Sequence, residues 1–177
     1  MAWNVRENLM SFGIEVYILT QEEQIVKRRF IDERYNQQIL RVDVEKDSKP
    51  LDYNLPKEYF DALVISDYDK GFISSSRIFD LAEKFDGPVF IDSKKRHLPV
   101  EHAFIKINEE EYSKLSYKSE NLIVTKGSKG ADYQGKNYPA VGVSVFDVCG
   151  AGDTFLSALV YFYLLYGKID KAIPYAN

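Results

Sequence analysis

The sequence contains a single cysteine and no apolar run that approaches the length of a membrane span. With Cys149 alone, an internal disulfide and a zinc site built from cysteines are both excluded. A helix that crosses a bilayer needs about 20 apolar residues, and the first residues lack the basic-then-apolar layout of an export signal. We therefore expect a protein of the reducing cytoplasm that makes no membrane contact.

Basic residues are too few for a nucleic-acid-binding surface. The chain has 23 Lys and Arg against 27 Asp and Glu, a net charge of -4 and a sequence pI near 5.3. A nucleic-acid-binding domain would present a basic face. The local basic cluster at 94–96 (KKR) is interpreted as a solvated loop or as part of a site for an anionic small molecule. We expect no nucleic-acid partner.

The chain also lacks internal repeats, low-complexity segments and linkers. Its 177 residues, 45% of them hydrophobic, can bury one core, so we expect a single domain over 1–177. Apolar runs with strand character alternate with helical ones, which is typical of an α/β fold with a parallel sheet and crossover helices. The strand candidates are 14–19, 62–65, 89–91, 104–107 and 122–125, and the helix candidates are 74–85, with Ser74 as a possible N-cap, and 109–115.

Polar residues stand at the ends of the predicted parallel strands. Ligands of such sheets bind beyond the carboxyl ends of the strands. The residues at or just past those ends are Asp67, Asp92, Asn108 and Thr125. We expect the four to converge on one edge of the sheet.

Two segments interrupt the alternation with hairpin patterns. Segments 24–34 and 36–45 interleave β-branched and charged residues around a polar turn, which predicts a two-stranded ribbon that projects as a lid. Segment 130–140 repeats the hairpin pattern on a smaller scale, with 135–137 (GKN) as the expected turn.

The most informative segment is 147–154 (DVCGAGDT), which precedes the long apolar helix predicted for 155–166. Gly150 and Gly152 leave the backbone free of side chains, so it can approach a ligand closely. The N–H groups at a helix start, reinforced by the helix dipole, hold phosphate oxygens. This arrangement predicts a phosphoryl-transfer site.

Asp153 would lie in the first turn of that helix. A carboxylate beside a phosphate is repulsive unless it has a task, such as accepting the proton of an attacking hydroxyl. The alternative is that Asp153 only caps the helix. Cys149 is interpreted as a small, semi-buried filler rather than a nucleophile.

Five ordered motifs resemble the signatures of the PfkB (ribokinase-like) carbohydrate kinases. They are 66–71 (SDYDKG), 92–94 (DSK), 108–111 (NEEE), 125–130 (TKGSKG) and 147–153 (DVCGAGD), with Cys149 where that family usually has Thr. The resemblance implies a ribokinase-like three-layer fold with a mainly parallel sheet and a small β-ribbon lid. It also implies an ATP-dependent kinase of a sugar or sugar phosphate.

The resemblance further implies roles for individual residues. Asp153 would be the general base, and the backbone of Gly150, Ala151 and Gly152 would form an anion hole. Asn108 and Glu111 would contact the water shell of Mg²⁺. The nucleotide would be bound by Thr125, Gly127, Gly130 and Asn177 together with Asn108 and Glu111. For Glu111 the alternative is an ordinary solvated glutamate, and for Thr125 and its loop an ordinary turn.

The lid segments are similar to the substrate-lid hairpin of heptose-7-phosphate kinases of lipopolysaccharide precursor synthesis. The matching stretches are 25–29 (IVKRR) and 36–43 (NQQILRVD). The resemblance assigns substrate binding to Asn4, Lys27, Arg29, Gln38 and Arg41, and to Asp67 and Lys70, for which a plain polar turn is the alternative. If Arg29 and Arg41 hold a sugar phosphate, both must project from the same face of the ribbon. A solvated charged hairpin is the alternative for the ribbon.

The departures from the family pattern leave a second class of function open. The sequence starts within the family's second motif and stops at Asn177, so the expected fold is incomplete at both termini. The alternative to a kinase is an inactive remnant that serves as a nucleotide-binding or oligomerisation module. A sheet edge left open would be covered by self-association, so we expect a homodimer.

Overall fold

The computed structural model describes residues 2–21, 26–35, 37–44, 48–51, 54–56, 58–98, 100–116, 119–142 and 149–177. Its centre is a six-stranded sheet in which consecutive strands are neighbours. The strands are β3 (Leu63–Asp67), β4 (Val89–Ser93), β5 (Phe104–Asn108), β6 (Leu122–Thr125), β7 (Ala131–Tyr133) and β8 (Lys136–Tyr138). The first four run parallel and the last two are antiparallel, so the mainly parallel sheet is confirmed.

Helices cover both faces of this sheet and give the expected three layers. The helices are α1 (Ala2–Ser11), α2 (Ser75–Lys84), α3 (Glu109–Lys114), α4 (Ala151–Tyr166) and α5 (Ile169–Ala176). One core cluster joins α1, α4 and α5 to the sheet side chains of Phe90 and Ile123. The other joins α2 to Ile65, Val89 and Ile91 on the opposite face, with Tyr112 of α3 packed against it. Neighbouring residues of a strand point to opposite faces, and both faces of the sheet are covered here, so strand β4 is buried along its whole length.

Local signals set the ends of the helices. The Ser74 side chain accepts a hydrogen bond from the Arg77 N–H at 3.1 Å, as expected of an N-cap for α2. Helix α4 begins after Gly150 and ends before Gly167, and both glycines are in the left-handed region, with φ of 80° and 68°. That conformation suits glycine because it has no Cβ.

The predicted ribbon is present as an antiparallel pair, β1 (Val26–Asp32) and β2 (Gln37–Val44). Its register pairs Arg29 with Arg41, so these two side chains lie on the same face. Phe30 pairs with Leu40, but the next residue, Ile31, pairs with Gln38, so the register shifts by one residue between them. Ile39 is the extra residue of a β-bulge.

Two details of the sequence-based prediction are wrong. Residues 14–19 form no strand, because a strand must pair with a neighbouring strand, and within the part of the chain that the structure describes this segment pairs with none. Its side chains Ile14 and Val16 pack against the core instead. The turn of the small hairpin is Gln134 and Gly135, with φ of 48° and 76°, and Lys136 begins β8. Two residues with positive φ are typical of a type I′ turn.

A few of the predicted positions lie outside the described residues. They are the outer ends of the ribbon at Gln24 and Glu45, the motif residues Ile25 and Asn36, and residues 147–148. Within the described ranges, no helix combines the length and apolar character required to cross a membrane.

Candidate active site

The start of α4 provides backbone donors at the carboxyl-end edge of the sheet. Thr154 N donates to Gly150 O at 2.9 Å, so the intrahelical hydrogen bonds begin at Thr154. The N–H groups of residues 151–153 precede this bond and have no intrahelical acceptor. Gly150 and Ala151 are exposed, so a ligand can reach this end of the helix. Cys149 is exposed as well, which corrects its interpretation as a semi-buried filler, because it lies in the loop before the helix.

Asp153 is buried in the first turn of α4, with 5% of its surface exposed. Its Oδ2 accepts a hydrogen bond from Asn4 Nδ2 at 3.1 Å. A second contact, from Asn8 Nδ2 to Thr154 Oγ1 at 3.3 Å, joins the same two helices one turn further along α1. The fold thus brings together Asn4 and Asp153, two predicted site residues that are 149 positions apart in the sequence.

A buried ion pair lies beside this helix start. Asp92 and Lys106 are paired in register on β4 and β5, and Lys106 Nζ donates to Asp92 Oδ2 at 2.8 Å. A Cβ atom at Gly152 would lie 2.8 Å from Lys106 Nζ, so the ammonium group packs against the first turn of α4. Burial raises the pKa of Asp92, with further contributions from the charges of Glu111 and Asp153, while Lys106 opposes the rise.

Sequence reasoning did not identify Lys106. Its signal was available, since the lysine interrupts the apolar strand FIKIN two residues before Asn108. Lysine is rarely buried without a partner or a task.

Asn108 and Glu111 form a reciprocal capping box at the start of α3. Asn108 Oδ1 accepts from Glu111 N at 2.8 Å, and Glu111 Oε2 accepts from Asn108 N at 2.9 Å. The box fixes both side chains beyond the end of β5 and leaves Glu111 Oε1 outside these two bonds. Among the described residues, no group of three or more His, Cys, Asp or Glu could hold a metal ion. The box offers amide and carboxylate oxygens, the ligand type that Mg²⁺ prefers, and Mg²⁺ keeps several of its waters.

Asp67 points to the opposite face of the sheet from Asp92. Its carboxylate accepts from Ser93 Oγ at 2.8 Å and from Asp69 N at 3.0 Å, and Lys95 Nζ lies 3.4 Å away. The carboxylate thus closes the strand end by contacts within the protein. Lys70 is exposed on the following turn. Within the described ranges, the hydrogen-bond and ion-pair partners of Asp67 do not include Asp153.

Tyr68 connects the ribbon to the sheet edge. The Nζ atoms of Lys27 and Lys94 lie 4.6 and 4.5 Å from the centre of its ring. Burial, followed by the charges of Asp153 and Asp92, raises the pKa of Tyr68 to about 12. Since Lys27 belongs to β1, the ribbon face that carries Lys27 is turned towards the site.

That ribbon face carries all four predicted lid residues. Lys27 and Arg29 alternate along β1, and Arg41 lies opposite Arg29. The bulge at Ile39 brings Gln38 to this face as well, because Gln38 pairs with Ile31. The Arg41 guanidinium forms two hydrogen bonds of 2.8 Å with Asp43, which raise the pKa of Arg41.

The predicted nucleotide residues gather around the loop after β6. Thr125 Oγ1 donates to Ile107 O at 3.2 Å, and Gly127 opens a short 3-10 turn, Gly127–Lys129. Gly130 has φ of 87°, and a Cβ atom there would lie 1.9 Å from Tyr138 O. Asn177 Nδ2 donates to the same carbonyl oxygen at 2.9 Å. Asn177, the residue that follows α5, therefore lies beside the loop at 127–130, here called the glycine loop, although the two are far apart in the sequence.

Comparisons with known proteins agree with this architecture. The model of the pfkB family carbohydrate kinases matches residues 101–177 of this chain. This range includes β5, β6, the glycine loop and the start of α4.

Curated relatives extend the similarity over most of the chain. The bifunctional protein HldE of a Nitratiruptor species is 29% identical over 93% of this chain and 43% of its own length. The bifunctional protein HldE of Escherichia coli O1:K1 / APEC is 31% identical over 80% of this chain and 37% of its own length. The chain thus spans less than half the length of these relatives.

A solved structure shows the same fold. The crystal structure of ribokinase from Thermotoga maritima superposes with a TM-score of 0.61, over 97% of this chain and 67% of that chain, at 18% identity. The fold is therefore ribokinase-like.

Proposed function

We propose that this chain transfers the terminal phosphoryl group of ATP to a hydroxyl of a sugar or sugar phosphate. The observation that carries the proposal is the buried carboxylate of Asp153, held by Asn4 at the open start of α4. A scaffold needs neither this carboxylate nor a glycine-bearing helix start beside it. The match of residues 101–177 to the model of the pfkB family carbohydrate kinases supports the same reaction class.

In the proposed reaction, the sugar hydroxyl oxygen attacks the terminal phosphorus while the Asp153 carboxylate accepts the hydroxyl proton. The new O–P bond forms as the bond between that phosphorus and the bridging oxygen breaks, and ADP leaves with the bridging oxygen. The N–H groups of residues 150–152 stabilise the charge on the phosphoryl oxygens. Asn4 fixes the carboxylate by donating to Oδ2.

Magnesium would enter with the nucleotide. Asn108 and Glu111 would hold a water of its shell, for which the capping box fixes their position. When bound, the ion neutralises charge on the phosphate groups. Thr125, Gly127, Gly130 and Asn177 would border the nucleotide on the other side of the same edge.

We assign the acceptor to phosphorylated sugars, with a heptose phosphate as the leading candidate. Lys27, Arg29, Gln38 and Arg41 share the ribbon face that meets Tyr68, and an Arg guanidinium binds phosphate by two parallel hydrogen bonds. The Arg41–Asp43 pair would have to open or share its donors when the phosphate binds. The resemblance of the lid to heptose-7-phosphate kinases supports the same acceptor.

The other face of the ribbon, here called the apolar face, carries several exposed apolar side chains beside Arg28, and we propose that a second copy of the chain covers it. Its side chains include Phe30, Leu40, Val42 and Val44, which are 50%, 53%, 38% and 50% exposed. An exposed apolar patch on a projecting ribbon is typical of an interface. A homodimer formed through this face would leave the basic face open to substrate.

The direct test is a transfer assay on the unmodified chain with ATP, Mg²⁺ and a panel of sugars and sugar phosphates, with nucleotide binding measured in parallel. We expect transfer to a phosphorylated sugar and weak or no transfer to its unphosphorylated counterpart. ATP binding without transfer to any member of the panel would favour the alternative, a non-catalytic nucleotide-binding or oligomerisation module. Failure to bind ATP would refute the kinase proposal.

A further inference from the structure

Lys106 is a buried lysine on the sheet face that meets α4. It is 6% exposed, whereas its neighbours Ile105 and Ile107 belong to the core on the opposite face. An ammonium group in such a position carries a large desolvation cost. The cost calls for a reason beyond packing.

The ion pair with Asp92 does not supply that reason by itself. A buried ion pair is often no more stable than apolar residues of similar volume, because both charges lose their hydration. An alternating apolar residue at position 106 would suit β5, since Phe104 on the same face packs against the core cluster. The pair is therefore better explained by a role of the Lys106 charge in binding a ligand.

The position of the ammonium group indicates that use. Its Nζ is 2.8 Å from Asp92 Oδ2 and packs against Gly152, in the helix start proposed to hold the transferred phosphoryl group. An ammonium group has three donors, and Asp92 is its one hydrogen-bond acceptor among the residues that the structure describes. Glycine at position 152 leaves room for the lysine at this point.

The charges around the site give the same indication. The charges of Glu111 and Asp153 act on Asp92, and all three carboxylates act on Tyr68. Three carboxylates would repel a triphosphate unless a cation offsets them. Lys106 is a cation placed by the fold among them.

We infer that Lys106 donates to an oxygen of the transferring phosphoryl group and that Asp92 positions it, an inference that rests on the kinase function proposed above. Lys106 is then a catalytic residue and Asp92 a positioning residue. The lysine changes no covalent bond; it stabilises the charge that spreads over the phosphoryl oxygens in the transition state.

The test uses Lys106→Met, the double variant Asp92→Asn with Lys106→Met, and Lys114→Met as a matched control on the exposed pair with Glu110. The double variant removes both buried charges, so it separates charge compensation from catalysis. We expect turnover to fall by about 100-fold or more in both Lys106 variants, the usual loss for one preorganised donor. The Michaelis constant for the sugar should change little, and Lys114→Met should retain full turnover.

Binding provides a second readout that is independent of transfer. We expect the double variant to lose affinity for ATP but to keep the affinity of the unmodified chain for adenosine, measured by calorimetry. Full turnover in the double variant would show that Lys106 only neutralises Asp92 and would overturn the inference. Equal losses of affinity for ATP and adenosine would overturn it too, even if the unmodified chain transfers no phosphate. An unmodified chain that binds no ATP would refute both this inference and the kinase proposal.

Discussion

Strands β4 and β2 represent two different ways to build a binding surface. Every residue of β4 is buried, and its charged residue Asp92 has a fixed partner in the neighbouring strand. Every residue of β2 is exposed, and its basic residue Arg41 pairs with Asp43 two positions along the same strand. Geometry at the sheet edge is therefore enforced by the core, whereas geometry on the ribbon depends on register and on what binds it.

This difference separates the two halves of the proposed reaction. The phosphoryl side is built from groups that are held in place before any ligand arrives, which is what preorganised electrostatic stabilisation requires. The acceptor side is on an exposed ribbon whose side chains can rearrange. We therefore expect substitutions in the core site to affect turnover or stability and those on the ribbon to affect substrate affinity or assembly.

The largest effect is expected for Asp153→Asn at the core site. Loss of a general base should reduce turnover by roughly 10²- to 10⁴-fold, while ATP affinity should stay close to that of the unmodified chain. Single-turnover kinetics and ATP titration measure the two quantities. Glu110→Gln, which replaces an exposed carboxylate of α3 by a carboxamide, is the control and should behave like the unmodified chain. Unchanged turnover in Asp153→Asn would exclude Asp153 as the base.

Gly130→Ala tests how rigid the core side is. The new Cβ would meet the carbonyl oxygen of Tyr138, which belongs to the sheet, so backbone must move. Gly135→Ala is a matched control, because Gly135 also has positive φ but has open space at the Cβ position. We expect Gly130→Ala to lower the free energy of unfolding by about 1 to 3 kcal/mol more than Gly135→Ala, the usual cost of overpacking. Urea denaturation measures the difference, and equal losses would mean that only the positive φ matters.

Arg41→Ala tests the basic face of the ribbon. Loss of a charge-assisted contact of about 1.5 to 3 kcal/mol should raise the Michaelis constant for a phosphosugar by about 10-fold or more. The Michaelis constant for ATP should be nearly unchanged. Arg28→Ala is the matched control, because Arg28 pairs with Val42 on the apolar face. If Arg28→Ala raised the constant as much as Arg41→Ala, or if both substrates were affected equally, the assignment of the basic face would be wrong.

The smallest expected effect on catalysis comes from Leu40→Asp on the apolar face. A charge there should dissociate the proposed homodimer while the monomer keeps its fold, since Leu40 is 53% exposed in the single chain. Sedimentation velocity at micromolar concentration measures the change, with Gln38→Asp on the basic face as control. If the unmodified chain is a monomer, the proposed homodimer is wrong and a second copy of the chain does not cover this face.

Local patterns predicted much of the scaffold. The four parallel strands, the Ser74 cap, the glycine-bearing start of α4 and the ribbon all follow from residues close together in the sequence. The strand predicted at 14–19 is wrong because the apolar alternation of such a segment reports burial, and pairing depends on a neighbour elsewhere in the chain. The turn of the small hairpin is predicted at 135–137 but consists of Gln134 and Gly135. The choice between two and three loop residues depends on the register of the two strands.

The sequence by itself determined the fold class and the edge of the sheet where most of the candidate site residues gather, because alternation, caps and glycine positions are local properties of the chain. Only the tertiary structure decided which of those residues meet. It placed Asn4 against Asp153 and Lys106 against Asp92 and Gly152, and it turned Asp67 to the opposite face from Asp92. These outcomes depend on strand register and helix packing, which sum contacts from distant segments.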